Sequence, residues 1–518
     1  MSRLDREEHT AERTPATRRG SVYATWQLVG LGLGLLCCWW RIRALGDVRV
    51  HLLAFFGWYV LTFILYLVAL WIIHGATGDR SAPENLEPRV LPLRDPSRPP
   101  PHASLCGAKA KQSVRGAGGW GPRSASPAAR NSLNGIVLTI IFISAAAFRL
   151  CLLGMTPTLS DDVYRYHWDG RVQRAGLDPY AYAPNAPELA TLRDALWPRV
   201  NFPHLRTIYP PLTQRAFQLG LWLHDGLLGQ KLVFLLAELV AMACLLGVLR
   251  QRALSPLWVA AYAWHPLAIL EIAGSGHNDA LGIACLWLGL LAWSLRRPTL
   301  AVISWGLTFL AKYATVLLVP WLWFRHGMRW RMPLFAVVAA IPIICCPTVI
   351  SALFSSLSVM AGRFESNASL FLLVVSLVKS PIIARWLVIG MLAVWTLWWA
   401  IHQEDPIIFL MAGLAAAALL SPVLHPWYFL WLVPFFCFWR VPALVVLSGT
   451  IILAYTVWSG YLAGGQWTVP WWARVLEYGP VLVLGLWELR RLRAPLPDTG
   501  TDQAQRPSEV RMRCSSCR

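Results

Sequence analysis

Charged side chains are scarce in this chain: of its 518 residues, 14% are Asp, Glu, Lys or Arg, whereas 56% are hydrophobic. A soluble domain of that composition would expose a large apolar surface, so the scarcity of charge excludes an ordinary soluble protein. Ten-residue segments of alternating polarity, which build transmembrane barrels, are also lacking. Because lipid offers no partner for open backbone groups, the spans must be helices. We therefore expect an all-α fold, a polytopic transmembrane helical bundle.

Three further patterns are absent. The chain has no glycine-rich loop of the P-loop kind, so nothing indicates a soluble nucleotide-binding fold. No internal repeat is visible, which counts against a secondary transporter built from two related halves. Most of the eleven cysteines lie in apolar runs, where a thiol behaves as a small hydrophobe, so we predict no disulfide framework.

About fourteen apolar runs are candidates for crossing a membrane. The formal charge of +19 does not indicate nucleic acid, because the basic residues sit in the short connections between these runs. Arginines in alternate connections mark the cytoplasmic side. The same alternation places four polar segments together on the opposite side: the loop around Asp161, and residues 276–279, 363–367 and 425–428. We expect a multi-pass protein of the cell (inner) membrane with its site on the extracytoplasmic side.

The apolar run 299–324 decides how the later segments are oriented. As one long helix it would place Arg325, Arg329 and Arg331 outside, against the distribution of the other arginines. We therefore predict two short helices that turn near Lys312.

Composition also divides the chain. Residues 74 to 131 are rich in Pro, Gly and Ser and carry nine Arg plus Lys against four Asp plus Glu, a mixture that cannot bury a core. The loop 156–230 is polar and aromatic, which is typical of short helices on a membrane surface. The predicted units are a polar cytoplasmic N-terminus (1–23), a transmembrane hairpin (24–73), a disordered basic linker (74–132), a catalytic body (133–490) with a small extracytoplasmic cap in 156–230, and a disordered cytoplasmic tail (491–518).

The polar segment 160–171 (Ser-Asp-Asp-Val-Tyr-Arg-Tyr-His-Trp-Asp-Gly-Arg) stands out directly after a long apolar run. Ser160 can cap free amides, and acids in the first turn of a helix complement its dipole. On such a helix Asp162, Arg165 and Asp169 recur at spacings of three and four and share a face. One interpretation is a capped surface helix with internal ion pairs; the other is a substrate-binding face beside two catalytic acids.

The adjacent acids Asp161 and Asp162 suggest general base catalysis. An alcohol acceptor must lose its proton as it attacks, and a positioned carboxylate can accept that proton. Either aspartate fits this role. Its neighbour could orient the base, raise its pKa, or hold a divalent cation through oxygen ligands.

The segment 276–279 (Gly-His-Asn-Asp) lies between two apolar runs, with Glu271 just upstream. It is either a polar turn with an Asn or Asp cap, or a binding segment in which His277, Asn278 and Asp279 lie beside the Asp161 loop. The density of donors and acceptors favours binding.

Lys312 and Arg363 are rare cations on the outer side, both next to apolar segments. They either extend toward water from a helix end or hold a phosphate, the lysine as a point charge and the arginine bidentately. Asn367 also begins an Asn-Ala-Ser glycosylation sequon, which nothing else supports.

A broken segment, residues 421–428 (Ser-Pro-Val-Leu-His-Pro-Trp-Tyr), re-enters the membrane. Aromatic residues at an interface usually anchor it, which is the structural interpretation of Tyr428. His425 lies before a proline and can donate a hydrogen bond to an anionic leaving group. We include both His425 and Tyr428 among the candidate binding residues.

Several of these segments together resemble blocks of bacterial GT-C membrane glycosyltransferases, most closely polyprenyl-phosphate-mannose-dependent mannosyltransferases. The likeness covers about residues 133–490, and the combination is more specific than any one block. The segments that carry it are 160–166 and 168–172, 176–180 (Gly-Leu-Asp-Pro-Tyr), 182–184 (Tyr-Ala-Pro), 208–211 (Ile-Tyr-Pro-Pro), 276–280 (Gly-His-Asn-Asp-Ala) and 425–428 (His-Pro-Trp-Tyr).

The resemblance implies a GT-C-like bundle that moves a sugar from a polyprenyl phosphate to a lipid or glycan acceptor outside the cytoplasm, usually with inversion. The acidic pair of the first outer loop is the catalytic signature of such families and falls on Asp161 and Asp162. It implies membrane lipids and a lipid-linked donor as partners, and no nucleic acid. It names no certain cofactor, so a divalent cation stays an alternative.

On this hypothesis Asp161 or Asp162 is the base and Lys312, Arg363 and His425 stabilise the departing phosphate, while residues 277–279 shape the sugar pocket. Two other functions stay open: a transporter or flippase of lipid-linked sugars, and a scaffold subunit without catalysis. Glu238 lies deep inside an apolar run, and an ionisable residue within a membrane segment is typical of a transport pathway, so it supports the transporter alternative.

Overall fold

The computed structural model describes residues 15–77, 127–325 and 327–493, and most of these residues are helical. One isolated bridge between Ser366 and Val423 is the extent of strand pairing within the described ranges. The expected all-α class is therefore confirmed. Most of the predicted linker and tail, and the start of the polar N-terminus, lie outside the described residues.

The described residues contain α-helices of very different lengths, joined by short 3₁₀ turns. The helices are α1 Pro15–Ala44, α2 Leu52–Thr77, α3 Pro127–Leu153, α4 Asp162–Arg174, α5 Pro211–Leu223, α6 Leu227–Gln251, α7 Ala260–Ala263, α8 Pro266–Ala268, α9 Asp279–Ser294, α10 Pro298–Ala311, α11 Leu318–Phe324, α12 Met332–Ile344, α13 Pro347–Arg363, α14 Leu370–Val378, α15 Pro381–His402, α16 Pro406–Leu420, α17 Pro442–Thr450, α18 Val457–Leu462 and α19 Trp471–Arg493. The 3₁₀ helices are Val48–His51, Pro187–Leu192, Trp197–Arg199, Pro256–Val259, Tyr313–Leu317, Arg329–Arg331, Pro426–Trp431, Val433–Cys437 and Ile451–Thr456, and Ile269–Gly274 is a π-helix.

Within the described residues, five helical stretches are long and apolar enough to cross a membrane, or up to seven if two sharply bent pairs each count as one span. The two pairs bend by 53° and 88° at their breaks. Four shorter apolar helices accompany them. Fewer full-length spans are present than the apolar runs of the sequence indicate, because several runs are interrupted by bends.

The break at Lys312 that the sequence predicts is present. Helix α10 ends at Ala311, Lys312 is extended with φ −158°, and a 3₁₀ turn leads into α11. The Thr213 hydroxyl of α5 donates to the Ala311 carbonyl at 2.6 Å, so an outside partner satisfies this helix end. The interruption leaves the Lys312 side chain at a junction between helices.

The N-terminal hairpin belongs to the same hydrophobic core as the rest of the chain, a core that extends from Leu28 of α1 to Ala473 of α19. Helices α1 and α2 pack on each other, and α1 also packs on α3. The Tyr66 hydroxyl donates to the Ala261 carbonyl at 2.8 Å. The connection between α1 and α2 contacts the loop after α3, where the Val48 amide donates to the Thr158 hydroxyl at 3.3 Å.

A fully buried ion pair joins α3 to α6. The Arg149 guanidinium donates to both Glu238 carboxylate oxygens at 2.6 and 2.7 Å and to the carbonyls of Ala263 and Ala145 at 2.8 and 3.0 Å. Both side chains are at most 1% exposed. The acid that the sequence singles out deep in an apolar run therefore has a complete set of partners.

The segment 156–230, here called the cap, folds into α4, α5 and short 3₁₀ helices. Helices α4 and α5 pack on α6, and the 3₁₀ helices pack on α4. Close approach of α4 to α5 depends on Gly170, because a Cβ there would lie 2.7 Å from the Phe217 carbonyl oxygen.

Gly170→Ala should therefore destabilise the protein by about 1–3 kcal/mol, the usual effect of overpacking. Thermal unfolding of the purified protein in detergent checks this. Gly135→Ala on α3, where an added Cβ meets nothing within 4 Å, is the matched control and should be neutral or stabilising. Equal melting temperatures for both variants would contradict the packing argument.

Candidate active site

Helix α4 begins at the two predicted acids. Asp161 is the N-cap residue, and the Ser160 hydroxyl accepts a 3.3 Å hydrogen bond from the Asp162 amide. Asp162 in the first turn complements the helix dipole. The helix ends at Arg174, and Gly176 follows with a positive φ of 76°. The predicted helix is confirmed.

Asp161 is held by a cation that the sequence analysis did not identify. Arg199 of the cap donates to the Asp161 carboxylate and to the Tyr164 hydroxyl. Its guanidinium also lies over the Tyr164 ring, 4.1 Å from the ring centroid. The charge of Asp161 is therefore compensated by a direct partner.

Asp162 has no such cation in direct contact. Its Oδ1 accepts from the Asn201 amide at 2.6 Å, and its Oδ2 lies 3.8 Å from His277 Nδ1. About 20% of the side chain is exposed. Burial raises the pKa of Asp162 above its ordinary value, and nearby His277, Lys312 and the Asn201 hydrogen bond oppose that rise in part. These contacts leave Asp162 as the acid with the weaker direct compensation.

His277 lies at the centre of the cluster and is 1% exposed. Its Nε2 is 3.3 Å from Glu271 Oε2, on the side opposite to Asp162. Trp427 stacks nearly parallel on the His277 ring at 4.2 Å and on the His425 ring at 4.3 Å.

Asn278 and Asp279 face different partners. The Asn278 side-chain oxygen accepts from the Tyr166 hydroxyl at 3.3 Å. Asp279 Oδ1 accepts from Lys312 at 2.8 Å and from the Trp431 indole at 2.7 Å. Asp279 Oδ2 and the Asn278 amide nitrogen are buried without a hydrogen-bond partner, so both retain polar capacity for a ligand.

A cavity of about 220 Å³ adjoins this cluster. Lys312, Asp279 and Tyr428 lie at its polar end, and the remaining lining is mostly apolar, including Leu414, Ala418 and Leu432. The Lys312 ammonium is 5.3 Å from the centroid of the Tyr428 ring and 27% of its side chain is exposed. The cavity therefore combines a cation with an apolar groove between helices.

Arg165 and Asp169 are buried and pair with each other at 2.9 Å. Arg165 also donates to the Leu205 carbonyl at 2.9 Å, and Asp169 accepts from the Gln214 amide at 2.8 Å. Neither residue lines the cavity beside Lys312. The two residues share a face of α4, as predicted. Their hydrogen bonds fix α4 to the other parts of the cap.

Two other predicted features lie toward the C-terminal half. Arg363 ends α13, and its side chain lies outside the described part of the chain. Asn367 is fully buried and donates to Glu477 at 2.7 Å, so the sequon it begins is inaccessible in this fold. The amide and carbonyl of Ser366 pair with residues 422 and 424, which ties this segment to the one that precedes His425.

The predicted convergence of polar segments is clear for residues 161–162, 276–279 and 425–428, which the contacts of His277 bring together. Within the described ranges, no group of three or more His, Cys, Asp or Glu side chains is placed to hold a metal ion. The carboxylates of the acid pair instead accept hydrogen bonds from the guanidinium of Arg199 and the amide of Asn201.

Comparison with known proteins points to one family. Residues 127–326 match the family described as Alpha-(1->6)-mannopyranosyltransferase, N-terminal domain. The Alpha-(1->6)-mannopyranosyltransferase A of Mycobacterium tuberculosis is 25% identical over 225 residues, which are 41% of this chain and 42% of that relative. The match thus spans less than half of the relative's length. No solved structure matches the chain.

The matched segment contains the cap, the acid pair, the His277 turn and Lys312. The N-terminal hairpin and the segment with His425 and Tyr428 lie outside it. The resemblance to GT-C mannosyltransferases that the sequence motifs indicate is therefore confirmed, and it rests on residues 127–326, which are similar to the N-terminal domain of the alpha-(1->6)-mannopyranosyltransferase family.

Proposed function

We propose that the chain transfers a mannosyl group from a polyprenyl-phosphate donor to a hydroxyl of a lipid or glycan acceptor, on the extracytoplasmic side of the membrane. The family likeness supports mannose and transfer. The observation that carries the proposal is a cavity that joins Lys312 to an apolar groove. Asp162 does not line this cavity, but it lies close enough to Lys312 and Asp279 to interact with their charges.

The cavity suits a lipid phosphate. An ammonium attracts the phosphate as a point charge, while the apolar lining accepts a hydrocarbon chain. Lys312 provides the charge, and Leu414, Ala418 and Leu432 are among the apolar lining residues. Asp279, which now holds Lys312, fixes the ammonium before the donor arrives. His425, stacked on Trp427, has an imidazole N–H that can donate a further hydrogen bond to a phosphate oxygen.

The reaction is a single displacement that inverts the sugar carbon. Asp162 accepts the proton of the acceptor hydroxyl as its oxygen forms a bond to C1 of the mannosyl group. The bond between C1 and the phosphate oxygen breaks, and its electron pair stays on the phosphate. Lys312 compensates the charge that develops there.

Asp162 fits the base role better than Asp161 because of their partners. The Asp161 carboxylate is already bound by the guanidinium of Arg199, whereas Asp162 has no cation in direct contact. Burial raises the pKa of Asp162, which brings its basicity closer to neutral pH. We assign Asp161 to positioning Arg199 and the start of α4.

Purified full-length protein in proteoliposomes tests the proposal. With radiolabelled polyprenyl-phosphate mannose and a membrane-lipid acceptor extract, we expect a new mannosylated product. GDP-mannose should give none, because the donor is lipid-linked. The glucose analogue of the donor should react more slowly. Transfer from GDP-mannose alone, or movement of the donor across the bilayer without transfer, would overturn the proposal.

The transporter alternative rests on Glu238 inside the apolar run. That carboxylate is fully enclosed and bound by Arg149, which supports a structural role. A carboxylate that is enclosed and paired in this way does not support a substrate-binding site of a transporter.

Lys312→Gln should lower kcat/KM for the lipid donor by roughly 10- to 100-fold, because a charged hydrogen bond to the phosphate is lost. Initial rates over a range of donor concentrations measure the effect. Lys379→Gln removes an exposed lysine that does not line the cavity and should leave kcat/KM unchanged. An equal effect of both substitutions would contradict the phosphate site.

A further inference from the structure

Glu271 is a fully buried carboxylate that the proposed chemistry does not use. It lies on the π-helix Ile269–Gly274, a rare widening of the helix that is frequent at functional sites. Its Oε1 accepts from the Tyr455 hydroxyl at 2.8 Å. Its Oε2 lies 3.3 Å from His277 Nε2, but the two groups are not aligned for a hydrogen bond.

Glu271, His277 and Asp162 form a continuous line. The imidazole lies between the two carboxylates, with Nε2 3.3 Å from Glu271 and Nδ1 3.8 Å from Asp162. Trp427 stacks on the ring at 4.2 Å with an angle of 14° between the planes. The ring plane is therefore fixed by packing, and each nitrogen lies near one of the two acids without an aligned hydrogen bond to it.

From this geometry we propose that Glu271 is a positioning residue, which acts through His277 to fix Asp162 as the acceptor of the substrate proton. The inference rests on the proposed transfer reaction. A proton on Nε2, the nitrogen nearer to Glu271, leaves the lone pair of Nδ1 on the side of Asp162. The proton taken from the acceptor hydroxyl can pass from Asp162 to Nδ1, and Glu271 compensates the positive charge that the imidazole then carries.

The surroundings provide few competing charges. Glu271 is approached by the hydroxyls of Tyr455 and Tyr59, and Asp162 by Lys312 and Asp279. The other charged or titratable neighbours of His277 are His425, stacked on the far partner Trp427, and Lys231, whose stem lies beside Gly276. Among the hydrogen-bond and ion-pair contacts of the described residues, Glu271 is the acid on the Nε2 side of His277.

Single and double substitutions test the proposal in the full-length protein. Glu271→Gln keeps the shape and the acceptor for Tyr455 but removes the charge. We expect kcat to fall by about 100-fold, within the range of general base effects, with the donor KM changed less than about twofold. Glu271→Asp should recover part of the activity. The acid limb of the kcat profile should move to lower pH in Glu271→Gln, because the loss of a nearby negative charge lowers the pKa of Asp162.

The decisive comparison is the cycle with His277→Gln. If Glu271 acts through His277, the double variant should be no slower than His277→Gln alone. If the rate losses of the two single variants multiplied in the double variant, the proposal would be wrong. Full activity of Glu271→Gln would also overturn it. Glu477→Gln, at another fully buried glutamate that does not contact His277, is the matched control and should keep the wild-type pH profile.

The same cycle in thermal unfolding needs no turnover. Non-additive shifts in melting temperature are expected for Glu271→Gln and His277→Gln because the two groups are in contact. Additive shifts would overturn the pairing even if transfer were never observed. Failure of the transfer reaction itself would be seen in the wild-type protein, and thus separately from failure of the Glu271 proposal.

Discussion

Asp162→Asn should lower kcat for mannosyl transfer by about 10²- to 10⁴-fold, the usual contribution of a general base. The amide keeps the size of the side chain and can still contact Asn201, but it cannot accept the proton of the acceptor hydroxyl. Single-turnover transfer with saturating lipid donor measures this directly. The donor KM should change little, because Asp162 acts on the acceptor.

Asp161→Asn is the matched control for this prediction. It removes the partner of Arg199 and should slow the reaction by about tenfold or less, in line with the loss of one charged hydrogen bond. Equal losses in both variants would mean that the pair acts as one unit. Full activity of Asp162→Asn, or a larger loss in Asp161→Asn, would contradict the assignment of the base.

The pH dependence of the wild-type enzyme follows from the same residue. A base must be ionised to work, so kcat falls as the pH decreases through its pKa. Because burial raises the pKa of Asp162, the acid limb should lie above about 3.9, the value of a free aspartate. This limb should be absent from the residual activity of Asp162→Asn.

Arg149→Met should destabilise the protein by about 3–5 kcal/mol, the second large effect that we expect. The substitution leaves the Glu238 carboxylate buried without its partner, which is among the most damaging changes that a core can undergo. Thermal unfolding in detergent and the yield of monodisperse protein are the measurements.

The control for this prediction replaces both partners. Arg149→Met combined with Glu238→Leu removes both buried charges and should regain most of the lost stability. If the double variant were as unstable as the single one, the damage would come from lost packing. If Arg149→Met were as stable as the wild type, the pair would not hold α3 to α6.

The sequence correctly predicts the fold class and the helix that begins at the acid pair, and the reasons are physical. Long apolar runs can only be helices in lipid, and adjacent acids after Ser160 start a helix whatever surrounds them. The turn at Lys312 is also predicted, from the distribution of arginines alone. These features depend on local chemistry or on a pattern along the chain.

The partners of the acids could not be predicted in the same way. Arg199 and Asn201 are separated from Asp161 and Asp162 by nearly forty residues, and the pairing depends on how the cap folds. An arginine and an asparagine are ordinary residues in a polar loop, so their identity does not indicate that they bind the acids. Arg149 is similar, since a single arginine in an apolar run does not reveal that Glu238 is its partner.

Glu271 is visible in the sequence as an acid within an apolar run, but its role depends on geometry. Gly276, with φ 79°, reverses the chain after the π-helix. This turn places the His277 ring near both Glu271 and Asp162. Arg165 and Asp169 show the opposite case. Their spacing predicts a shared face correctly, while the buried partners of that face could not be predicted from spacing.

A cryo-electron microscopy structure of the full-length protein with a non-hydrolysable polyprenyl-phosphate mannose analogue tests the central claim most directly. We expect the phosphate within about 3 Å of the Lys312 ammonium and the hydrocarbon chain along Leu414 and Ala418. The mannosyl C1 should lie between that phosphate and Asp162. A sugar bound away from Asp162, or a phosphate that does not contact Lys312, would contradict the account.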